Sequence, residues 1–403
     1  MPKEKIVLAF SGGLDTSFCV LNLKERRYDV ITMTLNTGGF SKEEMKRIPA
    51  RSKELGAIKH YWIDAQKEAF DEIIADTIKA NALYEGVYPN MCADRYLLAK
   101  YLVETAKKEG AKVVAHGCTR SGNDQIRIDA TIACLAPELK IIAPARELMI
   151  TRPEEIEYIE KRGFKVSRAS KRYTINENVW GRTISGSEID ENKEPAEDTW
   201  ILTKITKKQP EYVEIKFEKG VPIALNGKKL HGVEILKELN VIAGAHGYGR
   251  GLNFEDTTMG IKGIQAFEAP GLLLLIEAHR ALEKAVLTRR QLMIKSFLER
   301  EYADLLYGAM FYEPIMRDIK AFVDSTQEVV SGRVRMKLDI KSVFPVGVYS
   351  PYVLLREDIA EYAQGASWTG EEAEAFIKLY GLQQKIAYVV ASERAKEKKK
   401  SNS

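Results

Sequence analysis

At 403 residues the chain is too long for one compact core, and it is expected to divide into two domains or more. Its 45% hydrophobic content is ordinary for a soluble protein, and no apolar run approaches the length of a membrane span. A net charge of +4 is too small to argue for nucleic acid, and Cys19, Cys92, Cys118 and Cys134 lack the spacing of a disulfide frame or a zinc site. The amino-terminal "MPKEKIVLAF" has no signal-peptide pattern, so a reducing cytoplasm is the expected location.

The first third alternates two periodicities. "KIVLAF", "DVITMT", "AIKHYWI" and "AKVVAHG" are short β-rich runs, and "LKIIAPA" supplies a fifth. Between them the spacing predicts helices over Asp15–Lys24, Ser41–Leu55, Gln66–Ala80 and Asp94–Glu109, with Ser41 and Glu44 as a capping box. Thr151 and Pro153 open another helix. This alternation predicts an α/β fold, a parallel sheet with helices on both faces. Ligands bind such sheets beyond the carboxyl ends of the strands.

After about residue 168 the texture changes. "EYVEIKFEKGVPIAL" reads as a hairpin turned at Lys219–Gly220, and "GRVRMKLDI" as a further strand. Helical patterns over Gly232–Ala243, Gly271–Leu306 and Pro314–Val323 complete an α+β second domain. Glu371–Lys400 reads as a helix too short for its own core, suited to packing on another subunit, and ends in a solvated basic tail. The expected divisions are 1–168, a nucleotide-binding domain; 169–365, an α+β synthetase and multimerisation domain; and 366–403, a helical extension for oligomer contacts.

Two loops carry chemistry. "LAFSGGLDTS" takes a strand through Ser11, Gly12 and Gly13 into a helix. The glycines leave backbone N–H groups unobstructed, the helix start adds further unpaired N–H groups, and Ser11, Thr16 and Ser17 bring hydroxyls, which together cradle phosphate oxygens. The lysine of a Walker loop and the dinucleotide Gly-x-Gly-x-x-Gly fingerprint are missing here; "GAHGYGRG" near residue 244 reads as a loop. The second loop, "HGCTRSGNDQIR", also follows a strand and opens a helix. Thr119, Asn123, Asp124 and Arg127 form a set able to hold a small zwitterion: hydroxyl and amide for a carboxylate, Asp for an ammonium, Arg for a second carboxylate. The five histidines have no metal-ligand spacing, so no protein-held metal is expected.

The first loop resembles that of the ATP-pyrophosphatase family. With "HGCTRSGNDQ", "ENVWGRTISG", "EIKFEKGVPIALNG", "IAGAHGYGR", "FEAPG", "EAHRALEKAVLTRR" and "VDSTQEVVSGRVRMKL", nearly the whole chain resembles the argininosuccinate synthase family. The resemblance implies an adenine nucleotide alpha-hydrolase-like fold and an AMP-forming ligase. ATP with Mg²⁺ would activate the ureido oxygen of citrulline, and aspartate would displace AMP. It implies ATP contacts at Ala9, Phe10, Ser11, Gly12, Gly13, Leu14, Asp15, Thr16, Ser17, Leu35 and Gly117, with Ser11, Asp15, Thr16 and Ser17 nearest the chemistry. Aspartate falls to Thr119, Asn123 and Asp124, and citrulline to Tyr88, Asn123, Arg127, Thr183, Glu255 and Phe267. A homotetramer is implied, with no membrane or nucleic-acid partner.

Departures gather on the citrulline side. "YPNMCADRYLLAK" is shorter than the family segment and lacks its Thr-Ser and Pro; Phe267 replaces a Tyr, Ser185 a Glu, Arg120–Ser121 a Gly-Lys type pair, and Leu35 an Ala. Two alternatives therefore stay open: a paralogue joining aspartate to another ureido, amide or carboxylate acceptor, and a sulfur transferase using Cys92.

Overall fold

The near-continuous apolar run of the first strand is what a parallel strand covered on both faces requires. In a computed structural model of the chain, which describes residues 3–120, 122–166, 173–356, 359 and 368–401, Ile6, Val7 and Leu8 are wholly buried. Strands β1 (Glu4–Ala9), β2 (Tyr28–Asn36), β3 (Lys59–Asp64), β4 (Val113–Ala115) and β5 (Lys140–Ile142) form a parallel sheet in the order β3-β2-β1-β4-β5. The order reverses at β1, whose two neighbours are β2 and β4. That reversal opens a crevice at the carboxyl ends of β1 and β4.

Strands β6 (Thr174–Asn178), β7 (Gly181–Ser185), β8 (Glu211–Glu218), β9 (Val221–Leu225), β10 (Lys228–Lys229), β11 (Arg250–Asp256), β12 (Lys262–Glu268), β13 (Gly332–Asp339) and β14 (Ser342–Tyr349) build two antiparallel sheets. Their orders are β10-β9-β8-β13-β14 and β11-β12-β7-β6. β8 alternates as expected for a half-buried strand, with Val213, Ile215 and Phe217 inward. The β8–β9 hairpin turns at Lys219 and Gly220, both left-handed.

The expected helices are present, with three differences. Gln66–Lys79 carries a π turn over Phe70–Ile74. The pattern Gly271–Leu306 is two helices, Pro270–Val286 and Arg289–Tyr307. Thr288 breaks it: its hydroxyl accepts the Gln291 N–H and Gln291 accepts the Thr288 N–H, a capping box hidden inside a continuous apolar periodicity. The carboxy-terminal pattern is likewise two helices, Gly370–Tyr380 and Leu382–Ser401, separated by Gly381.

Two compact units result, Met1–Tyr352 and Val353–Ser403. The first holds all three sheets; the expected divisions at 168/169 and 365/366, and Ser121, lie outside the described residues. Within it a buried polar network joins Asn81, His279, Glu283, Lys295 and Gln327. Asn81 Nδ2 donates to Glu283 and Glu299 at 2.6 Å, and Lys295 Nζ lies 3.1 and 2.7 Å from the same two carboxylates. A buried cation and its carboxylates satisfied in this way fix the helix Arg289–Tyr307 against the segment that leads to Tyr84 and Tyr88. In the second unit, Phe376, Ile377, Leu379 and Tyr380 are exposed.

Candidate active site

The first loop turns at Gly12, where φ is +70° and an added Cβ would lie 3.0 Å from the Ile48 side chain. Gly13 precedes the helix Leu14–Glu25, and no side chain caps it. Its first N–H groups are therefore free for a ligand. Ser11 Oγ lies 3.3 Å from Thr16 Oγ1, and Arg47 donates to the Gly12 carbonyl at 3.4 Å. The neighbouring loop approaches closely: a Cβ at Gly117 would sit 3.0 Å from the Thr16 methyl. His116 braces that loop, its Nδ1 accepting the Cys118 N–H at 3.2 Å while Nε2 lies 2.8 Å from Asp129, which Arg146 holds at 2.7 Å.

The two tips line one crevice of about 800 Å³. Of the residues expected at its nucleotide end, Ala9, Phe10, Ser11, Asp15, Thr16, Leu35 and Gly117 line it. Gly12, Gly13 and Leu14 form the turn without lining it, and the Ser17 side chain is buried in the helix. Beneath Asp15, Glu155 is buried; burial and Asp15 push its carboxyl up to about 9.

Thr119, Asn123 and Asp124 line the crevice, as do Tyr88, Arg127, Thr183 and Glu255, together with Ser185 and Cys92. Asp124 is already engaged: Arg127 Nη1 reaches one carboxylate oxygen at 3.0 Å and Arg95 Nε the other at 2.9 Å. Burial opposes its ionisation, but the two guanidinium groups outweigh burial and hold it below the usual range. Instead of facing separate charges of a ligand, Asp124 and Arg127 form an internal pair. Arg127 Nη2 and Asn123 Oδ1 are buried without a hydrogen-bond partner. A buried donor and a buried acceptor left in this way favour a ligand that supplies the complement.

Phe267 does not line the crevice. It is buried, with its ring edge-on to Tyr88 at 5.8 Å. A Cβ at its cross-strand partner Gly251 would lie 2.8 Å from Phe267 Cζ, so the ring tip points at β11. The acceptor contact expected of Phe267 is therefore corrected to packing behind Tyr88, whose hydroxyl lies 2.9 Å from that of Thr183. Burial pushes the Cys92 thiol up to about 11, so it stays protonated, which is poor for a sulfur-transfer nucleophile.

Three residues here had no local signal. Arg95 sits in the altered segment and also donates to Asp94 at 2.8 Å and Asn176 at 3.0 Å. Gln265 donates to Glu255 at 2.7 Å across the β11–β12 pair. Tyr307 ends a helix whose apolar spacing disguises it as core, yet it touches Asn123, Arg127 and Glu255. Of the three, Arg95 gives the nearest thing to a signal, as a cation in the first turn of the helix Asp94–Glu109.

Comparison with known proteins agrees with the fold. Residues 5–165 match the arginosuccinate synthase N-terminal HUP domain, and residues 173–387 the arginosuccinate synthase C-terminal domain. The chain is similar to the argininosuccinate synthase of Dictyoglomus turgidum, 45% identical over 388 residues, covering 95% of this chain and 97% of the relative. That of Dictyoglomus thermophilum is 46% identical over 389 residues, covering 95% and 97%. That of Methanocaldococcus jannaschii is 44% identical over 382 residues, covering 94% and 96%. On both family models and on identity across almost its full length, the chain belongs to the argininosuccinate synthase family.

Proposed function

We propose that the protein joins citrulline to aspartate, converting ATP to AMP and pyrophosphate through a citrullyl-adenylate. As a member of its family it is an ATP-dependent carbon–nitrogen ligase. The ureido oxygen attacks the α-phosphorus and the bond to pyrophosphate breaks. The aspartate nitrogen, having lost a proton, then attacks the ureido carbon, and AMP leaves carrying the former ureido oxygen. The ureido carbon is a poor electrophile, and adenylation gives it a leaving group.

Ser11, Thr16 and the free amides of the first loop would hold the departing pyrophosphate, with Gly117 closing the cradle. The close fit of Gly117 against Thr16, a space that a Cβ would fill, supports this reading. Mg²⁺ would arrive on the triphosphate and neutralise charge on pyrophosphate, with Asp15 and Thr16 as the nearest oxygen donors. Among the described residues no group of three His, Cys, Asp or Glu side chains could hold a metal alone. Thr119, Asn123 and Asp124 are assigned to aspartate, the last through a carboxylate shared with Arg95 and Arg127. Tyr88, Asn123, Arg127, Thr183 and Glu255 are assigned to citrulline. Residues 1–168 and 169–365 would act as nucleotide-binding and synthetase domains. The apolar residues exposed on the carboxy-terminal helices suit contacts in a cytoplasmic homotetramer.

The observation that carries the reading is the adjacency of two bare strand tips to a pocket holding an unpartnered donor on Arg127 and an unpartnered acceptor on Asn123. The test is pyrophosphate release with [ureido-¹⁸O]citrulline. Sustained, multiple-turnover release should require both amino acids and carry the label into AMP. Pyrophosphate formed without citrulline, sustained turnover without aspartate, or unlabelled AMP would reject it.

A further inference from the structure

Tyr307 occupies a singular place at the acceptor end. Its carbonyl accepts from Arg127 Nε at 3.0 Å, and the Arg127 guanidinium lies 4.6 Å above its ring. Its other partners fix the ring itself: it stacks on Tyr84 with centroids 3.8 Å apart and interplanar angle 7°, and meets Tyr88 edge-on at 6.1 Å. The hydroxyl accepts from Asn123 Nδ2 at 3.1 Å and donates to Glu255. Burial and the Glu255 carboxylate raise the Tyr307 pKa, which keeps the proton on the phenol and sets that direction of donation.

One residue thus touches three others from two separate segments, the helix head that carries Asn123 and Arg127 and the strand that carries Glu255. Asn123 and Arg127 lie one turn apart at the head of one helix, where the Arg127 N–H donates to the Asn123 carbonyl at 3.3 Å, and the Tyr307 hydroxyl is what ties that turn to Glu255 on β11. A Cβ at Gly263, opposite Glu255, would lie 2.9 Å from Oε1, so the glycine leaves space for the carboxylate, while Gln265 and Tyr307 both hold Oε2. The hydroxyl that fixes Asn123 Nδ2 leaves Asn123 Oδ1 free, and the carbonyl that takes Arg127 Nε leaves Nη2 free. The spacing between the free acceptor and the free donor is therefore set by Tyr307.

We propose that Tyr307 is a positioning residue that determines acceptor specificity, fixing Asn123, Arg127 and Glu255 at the separation of one ureido amino acid. The proposal rests on the reading of the crevice given above, and deepens it. It acts through other residues, so its loss should loosen recognition of the acceptor while sparing the nucleotide.

Tyr307→Phe removes the hydroxyl and keeps the ring, the stack and the carbonyl. The KM for citrulline should rise roughly 10- to 100-fold, the range of one hydrogen bond to a charged group. The KM for ATP should stay within about twofold and kcat fall less than about threefold, while preference for citrulline over its one-carbon-longer homologue shrinks. A cycle with Glu255→Gln should be non-additive, since one change removes and the other weakens the same hydrogen bond. An unchanged citrulline KM, additive effects, or a parallel rise in both KM values with a lowered melting temperature would overturn the proposal. If wild-type enzyme ignores citrulline, the functional reading fails by itself; the same comparison is then made on the ureido or amide amino acid that it does turn over.

Discussion

The two ends of the crevice are built on different plans. The nucleotide end is backbone: two loops at adjacent strand tips, glycines at 12, 13 and 117, and a helix start with no side-chain cap. The acceptor end is side chains, drawn from Tyr88, Asn123, Arg127, Thr183, Glu255, Gln265 and Tyr307. A backbone cradle depends on conformation and close approach, which a short motif specifies locally. A side-chain pocket depends on where distant segments meet, and any one position can change provided its neighbours keep the geometry. Most departures from the family pattern, Leu35 apart, fall on the second plan, and the altered segment still brings Arg95 to Asp124, which Arg127 also holds.

The contrast can be broken first at the nucleotide end. Gly117→Ala places a methyl 3.0 Å from the Thr16 methyl and 3.4 Å from its amide nitrogen, wedging the two tips apart. A misplacement of this kind near reacting atoms costs about 100-fold. Pyrophosphate release should fall by that factor with an unchanged far-ultraviolet circular dichroism spectrum; near-normal rates would mean the tips do not act together.

At the acceptor end, Phe267→Tyr restores the residue common in the family, yet should give no gain in citrulline affinity. The added hydroxyl would press on Gly251, and overpacking should lower stability by about 1–3 kcal/mol. Urea unfolding measures the cost, and a severalfold tighter citrulline KM would reverse the placement of this ring.

A pH-dependent test lies behind the nucleotide end, where Glu155 is buried beside Asp15. Its folded pKa is raised from 4.5 to about 9, so its contribution to stability is complete below about pH 4.5 and is lost as pH climbs toward 9. Glu155→Gln should remove that loss. The melting temperature of the variant should gain on wild type between pH 5 and pH 9, and parallel curves would show that Glu155 ionises freely.

Much of this molecule was legible in its sequence. The five parallel strands, the capping box at Ser41, the helix start at Thr151, the β8–β9 hairpin and both crevice loops follow from local periodicity and turn chemistry. The break at Thr288 was written there too, as Thr-x-x-Gln, but the apolar period running across it carried the stronger signal. The sequence placed Phe267 among the acceptor contacts, whereas the ring packs behind Tyr88, and it offered no signal for Tyr307, which lines the crevice.

What the sequence determined by itself is the backbone: which segments become strands and helices, and where a turn leaves amides bare, because these depend on neighbours within a few residues. What only tertiary structure decided is which side chains meet. Positions 123, 255 and 307 come together because a parallel sheet, an antiparallel sheet and a helix fixed by the Lys295 network converge at one point. The Cζ of Phe267 faces Gly251 because strand register, which is non-local, set the ring beside a residue with no side chain.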